Sequence, residues 1–308
     1  MRGWIHMQRD HTIDILKTLA IFGVIVIHTA ADTLIENIGT FQWMAALFWT
    51  TLFRAAVPVF FMCSGALFFD PERELTIHRL FSKYIAKILI AMTAWRILYD
   101  CFGIGGHLYY LQILILFYAI APVIRVFILH ASTADLRYAL SFWFLLGIIY
   151  PTVRHFFQID GIYGQWAINM TYASIGYGML GYYLKQNPIS RNAGIALFLF
   201  GFILTYSATY YLSLQAGSLN TAFSEGMSLG PACMAIGIRG IIGHISTNYS
   251  FFQSTAKASL CVFFVHSFFL YRFNFTESII LRSGFNLVCS FMVYWVLSKI
   301  PFVRKWLI

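Results

Sequence analysis

Thr12-Ile13-Asp14-Ile15-Leu16-Lys17-Thr18-Leu19-Ala20-Ile21-Phe22-Gly23-Val24-Ile25-Val26-Ile27-His28 is the stretch whose reading decides the fold. At about 20 apolar residues per crossing, the run 12–31 predicts a transmembrane helix. It nevertheless carries three ionisable groups. Lys17 and His28 are eleven residues apart, which at about 100° per residue returns them to one face, roughly 16 Å apart along the axis. Asp14 lies one turn before Lys17 on the same stripe, close enough to pair with it. Ionisable groups in a spanning helix cost on the order of several kcal/mol each, so they usually face the bundle interior and serve function. A bland reading has Lys17 snorkelling to the surface with Asp14 neutralising it. His28 resists that reading, because imidazole is the side chain suited to proton transfer near neutrality.

Outward from this run, the rest of the chain repeats the pattern. Its 308 residues are 59% hydrophobic and 11% charged, against roughly 25% charged in a soluble domain. The mean hydropathy is +0.72. So few charges cannot cover a water-facing surface, and lipid must be the solvent for most of the chain. Apolar runs fall near 12–31, 48–69, 80–100, 108–129, 138–153, 166–184, 194–212, 226–245, 258–272 and 284–300. They predict an all-α, polytopic membrane helix bundle of about ten transmembrane helices, a single domain over 1–308. No room remains for a separate soluble catalytic domain, so any chemistry belongs inside the bundle or at its rims.

Charge sets the expected orientation, since Lys and Arg crowd cytoplasmic loops. With ten spans and the N-terminus inside, fourteen of the 21 basic residues fall on the inner side. Four fall outside: Arg96, Arg154, Arg272 and Arg282. The split predicts cytoplasmic N- and C-termini. Arg2, Arg9, the apolar run 19–27 and Thr29-Ala30-Ala31 also have the look of a cleavable signal peptide, but Lys17 and His28 bracket its core and argue against it. A net charge of +9 raises nucleic acid as a partner; basic residues scattered singly, with no stripe, exclude it. The five cysteines form no CxxC and no spaced set, so they read as small buried hydrophobes rather than disulfides or metal ligands.

Other polar groups interrupt the apolar runs. Arg54, Pro58 and Ser64-Gly65 share the second, and Lys83 and Lys87 lie on one face near the inner end of the third. His107 opens the fourth on the outer side. His266 sits inside the ninth, where a structural role is the expectation. Trp43, Trp49, Tyr163 and Trp166, near the outer rim, fit an interfacial aromatic belt better than a sugar platform.

These residues together resemble the acyltransferase 3 family of integral-membrane O-acyltransferases. Residues 12–20 with His28 are similar to the family's first-helix pattern, an Asp, then Arg-Gly-Leu-Ala, then a histidine after ten intervening residues. Ala56-Val57-Pro58-Val59-Phe60-Phe61-Met62-Cys63-Ser64-Gly65 resembles Val-Pro-Leu-Phe-Phe-x-x-Ser-Gly, and His107-Leu108-Tyr109-Tyr110-Leu111 resembles His-Leu-Trp-Phe-Leu. Gly178-Met179-Leu180-Gly181 and Ser259-Leu260-Cys261-Val262-Phe263-Phe264-Val265-His266 match later landmarks. Within the family the chain looks most like the ten-span type that O-acetylates enterobacterial common antigen. Two departures stand out. Lys17 replaces the family arginine, keeping the charge and losing the bidentate fork. Arg79, Lys83 and Lys87 stand at a different spacing from the family's Arg-x-x-Arg or Arg-x-x-Lys pair.

The resemblance implies a multi-pass O-acetyltransferase of the bacterial cytoplasmic (inner) membrane. Its implied donor substrate is cytoplasmic acetyl-CoA, with no permanently bound cofactor, and its implied acceptor is a hydroxyl of a cell-surface glycan or lipid-linked saccharide precursor. His28 would be the general base, with Asp14 and Lys17 fixing the first helix and meeting the donor. Lys83 and Lys87 would bind CoA phosphates; Arg54 or His107 would polarise the thioester carbonyl or orient the acceptor. Two rivals remain open. A transporter or flippase of a lipid-linked sugar predicts internal repeats and broken helices in matching halves, and no repeat is visible. An inactive relative acting in polysaccharide assembly is the other.

Overall fold

The computed structural model describes residues 10–71, 73–105, 108–157, 166–245, 249–270 and 275–308. Among these residues the chain is all-helical, with no strand, and each of the ten apolar runs coincides with helix. Six stretches are long and apolar enough to cross a membrane: His11–Thr29, Phe41–Phe68, Tyr109–His130, Thr133–Arg154, Arg191–Ala216 and Ile279–Leu297. The helices Ala86–Phe102, Met170–Gln186, Leu229–Ile242 and Ser250–Leu270 occupy the remaining runs and are shorter or less apolar.

Local chemistry sets where helices begin. Asp10 Oδ1 accepts the Thr12 and Ile13 amides at 3.0 and 3.4 Å, satisfying donors that the first turn cannot pair. Ser132 and Asp135 cap each other's backbone reciprocally, and Thr40, Asn169, Ser190 and Ser278 cap their own helices. The long second run breaks in its middle, between Phe41–Phe53 and Ala56–Phe68. Pro58 explains the break. It has no amide to give the Arg54 carbonyl, and its ring crowds that carbonyl. The break therefore falls on Arg54 itself.

The first helix is the centre of the bundle, packed against Ser250–Leu270, Ala56–Phe68, Ile279–Leu297 and Phe41–Phe53. Two glycine crossings let other helices approach closely. A Cβ at Gly65 would run into the Gly178 backbone, and one at Gly181 into the Met62 backbone, so Ala56–Phe68 and Met170–Gln186 meet backbone to backbone. The Ser64-Gly65 and Gly178-Met179-Leu180-Gly181 segments, more than a hundred residues apart in sequence, are thus the two halves of one contact. Arg191–Ala216 and Leu229–Ile242 cross in the same way through Gly201 with Gly230 and Gly194 with Gly237.

Trp43 departs from the expectation of a rim residue. It is fully buried, its Nε1 donates to the Leu34 carbonyl at 3.1 Å, and its ring lies 5.8 Å from that of Tyr210. Trp43 is core, because the short helix Ala31–Ile35 folds back over it. Tyr163 lies outside the described residues.

Candidate active site

The C-terminal end of the first helix, the break at Arg54 and the start of Tyr109–His130 enclose a cavity of about 400 Å³. His28 and Arg54 both line it, 26 positions apart in sequence. Helix geometry delivers both. His28 stands in the last turn of its helix, and the chain break caused by Pro58 places Arg54 at a helix end, beside the cavity. Both are half-buried. The walls are otherwise mostly apolar or aromatic, with Tyr109, Tyr110, Phe60 and Phe263 among them. In such surroundings a charge interacts more strongly than it does in water.

Behind His28 stands His266. It is 1% exposed, and its ring centroid is 5.3 Å from that of His28, tilted by 45°. Its Nδ1 is 3.2 Å from the Val262 carbonyl oxygen. The His266 carbonyl in turn accepts from Asn286 Nδ2 at 3.0 Å, and Ser290 Oγ donates to Asn286 Oδ1 at 3.1 Å. A polar chain across two helices thus fixes the backdrop of the His28 ring.

The fourth wall is a loop that sequence reading passed over. Residues 221–227 dip against the bundle and bring Ser224 and Glu225 to the cavity. Glu225 is exposed at its mouth, as is Tyr109, and Arg54 lies within electrostatic reach of both. A signal for Glu225 was present in the sequence: a carboxylate abutting the apolar run 226–245 after the polar stretch Asn220-Thr221-Ala222-Phe223-Ser224. Without the fold, that stretch reads as an ordinary loop.

The other expected residues lie elsewhere. Asp14 is buried and Lys17 half-buried near the opposite end of the first helix. Around them Asp10, Arg239 and Cys63 form one electrostatic cluster. Lys83 is exposed and lies over the Tyr84 ring at 5.8 Å; Lys87 Nζ donates to the Ile308 carbonyl. None of Asp14, Lys17, Lys83 and Lys87 lines the cavity. His107 lies outside the described residues. Arg125, Arg73 and Lys185 serve structure: Arg125 donates to the carbonyls of Phe68, Asp70 and Arg73 at 2.9, 2.6 and 2.6 Å, Arg73 to Tyr84 Oη at 2.9 Å, and Lys185 pairs with Asp70 at 2.8 Å. Among the described residues no group of three or more His, Cys, Asp or Glu side chains is placed to hold a metal ion.

The arrangement offers an imidazole and a guanidinium on one apolar-walled cavity, which suits proton transfer beside a developing negative charge. No curated protein and no solved structure matches the chain significantly. A family model described as an acyltransferase domain does match, over residues 10–298, so the chain belongs to the acyltransferase 3 family of membrane proteins.

Proposed function

We propose that the protein is a multi-pass O-acetyltransferase that moves an acetyl group from cytoplasmic acetyl-CoA to a hydroxyl of a cell-surface glycan or its lipid-linked precursor. The observation that carries this reading is the meeting of His28 and Arg54 on one cavity, within a chain of the acyltransferase family. The ten apolar runs, each coinciding with helix, together with the loop charges, support ten spans with both termini cytoplasmic. The protein then resides in the bacterial inner membrane, with Lys17 toward the cytoplasm and His28 toward the outer side.

In the proposed step the acceptor hydroxyl gives its proton to His28 as its oxygen attacks the acetyl carbonyl carbon. Arg54 donates to the carbonyl oxygen as negative charge builds there. The carbon–sulfur bond then breaks, and the departing CoA thiolate takes the proton from the imidazolium, leaving His28 neutral for the next turnover. Lys17 meets the donor from the other end of the helix, with Asp14 holding it. Lys83 and Lys87 bind CoA phosphates, and an acceptor of the enterobacterial common antigen type is the leading candidate.

The test is transfer of radiolabel from acetyl-CoA to membrane glycan by the purified chain in nanodiscs. Label in glycan supports the reading; sugar translocation without label favours the transporter. Reporter fusions check the topology, and residues 185–192 and the C-terminus on opposite membrane faces would sink the ten-span arrangement.

A further inference from the structure

Arg54 and Glu225 are opposite charges on one cavity that act on each other. Yet among the described residues no ion pair within 4 Å closes between them. Glu225 is exposed at the mouth and Arg54 half-buried, so a polar ligand between them can partner both without leaving either charge buried alone. The loop that carries Glu225 is anchored to the bundle. Tyr177 Oη donates to the Gly226 carbonyl at 2.7 Å, Ser228 Oγ to the Ala222 carbonyl at 2.8 Å, and the Leu229 amide to Thr152 Oγ1 at 2.9 Å. The Asn220 and Ala222 amides are held by Ser213 Oγ and Asn220 Oδ1 at 3.0 and 3.1 Å. Phe223, Ser224, Met227 and Ser228 are buried around these bonds. A loop so anchored is pre-organised, and pre-organisation is how a site avoids the ordering cost of binding.

We propose that Glu225 is the acceptor-binding and specificity-determining residue of this cavity, and that its ligand is a sugar ring seated in the gap before Arg54. This inference rests on the acetyl-transfer reading above. A carboxylate at the mouth accepts hydrogen bonds from hydroxyls neighbouring the reacting one. Tyr109, 56% exposed on the same cavity, offers an aromatic face to the C–H side of the ring. The reacting hydroxyl then points inward, toward His28 and the carbonyl oxygen held by Arg54. A polyol matches this mixture of a flat aromatic wall, a fixed acceptor and a fixed cation; a long apolar ligand would leave Glu225 unpaired and desolvated.

The experiment uses the full chain in nanodiscs, labelled acetyl-CoA, and methyl N-acetylglucosaminide with its 3-, 4- and 6-deoxy analogues as acceptors. Glu225→Gln should raise the acceptor KM at least about tenfold, as expected for a lost hydrogen bond to a charged group, while the acetyl-CoA KM and the thermal midpoint stay put. One deoxy analogue that keeps the reacting hydroxyl, and so is still acetylated, should show a raised KM with the wild type and no further rise with the variant, which a merely structural role would not produce. Equal acceptor KM in both proteins, or a KM shift for donor and acceptor alike, overturns the inference. Wild type that labels endogenous membrane glycan with no Glu225 dependence keeps the enzyme reading and sinks the subsite. If no acetyl transfer occurs at all, the enzyme reading fails, and the subsite is judged by thermal shift alone. Stabilisation of the wild type by the glycoside, lost in Glu225→Gln, sustains the subsite; equal shifts reject it.

Discussion

At its N-terminal end the first helix sets Asp14 and Lys17 into a cluster with Asp10 and Arg239, two carboxylates and two cations around Cys63. At its C-terminal end it sets His28 at a cavity of about 400 Å³ that Arg54 also lines. One helix therefore carries a filled, charge-balanced end and an open end. The filled end has most of what a buried charge needs within its own cluster, so a change there is felt first as lost stability or lost orientation. The open end leaves room for a reacting molecule, so a change there is felt first as lost rate. Spacing along the helix is the same kind of information at both ends; the neighbours make the difference.

The sharpest way to break this comparison is His28→Ala. Loss of a general base should lower turnover about 10²–10⁴-fold at saturating acetyl-CoA, with the thermal midpoint close to wild type. A well-folded His28→Ala enzyme with near wild-type turnover would remove the base from the mechanism and leave the two ends alike. Arg54→Ala comes next. A charge-assisted contact is worth about 1.5–3 kcal/mol, so kcat should fall about 10- to 100-fold, and Arg54→Lys should recover only part of it because the planar fork is lost.

Smaller effects belong to the filled end. Lys17→Ala should weaken donor binding about tenfold, the equivalent of one charge-assisted contact, whereas Lys17→Arg should stay near wild type because the charge is kept. An unchanged acetyl-CoA KM in Lys17→Ala confines Lys17 to the structural cluster. The least is Asp10→Ala. Removing the cap that accepts the Thr12 and Ile13 amides should cost about 1 kcal/mol of stability, read as a lowered thermal midpoint, and leave kcat untouched. A kcat loss in Asp10→Ala as large as that of His28→Ala would erase the distinction between the ends.

Much of this was legible in residue order. Each of the ten apolar runs falls in helix, because lipid and core both demand apolar side chains over a helix's length, though six stretches among the described residues are long and apolar enough to cross a membrane. Asp14, Lys17 and His28 share a stripe by the 3.6-residue period alone, whereas the run 48–69 read as one span and the structure breaks it at Arg54, four residues before Pro58. The belt reading of Trp43 failed because Ala31–Ile35 covers it, and a five-residue helix has too little periodicity to reveal where it folds. His266 was visible as a buried histidine, but its place behind His28 was not.

What the sequence by itself determined is therefore the material of the bundle: helical, apolar, with charges rare enough that each one matters. The family motifs were also readable, since they are local strings. Only the tertiary structure decided which of those charges meet. It joined Ser64-Gly65 to Gly178-Met179-Leu180-Gly181, brought Arg54 to His28, left Lys83 and Lys87 off the cavity wall, and raised Glu225 from a loop to the cavity's mouth. The physical reason is that helix period and hydropathy constrain one element at a time. Contacts between elements depend on the crossing of helices, and glycine pairs and loop hydrogen bonds far apart in sequence set those crossings.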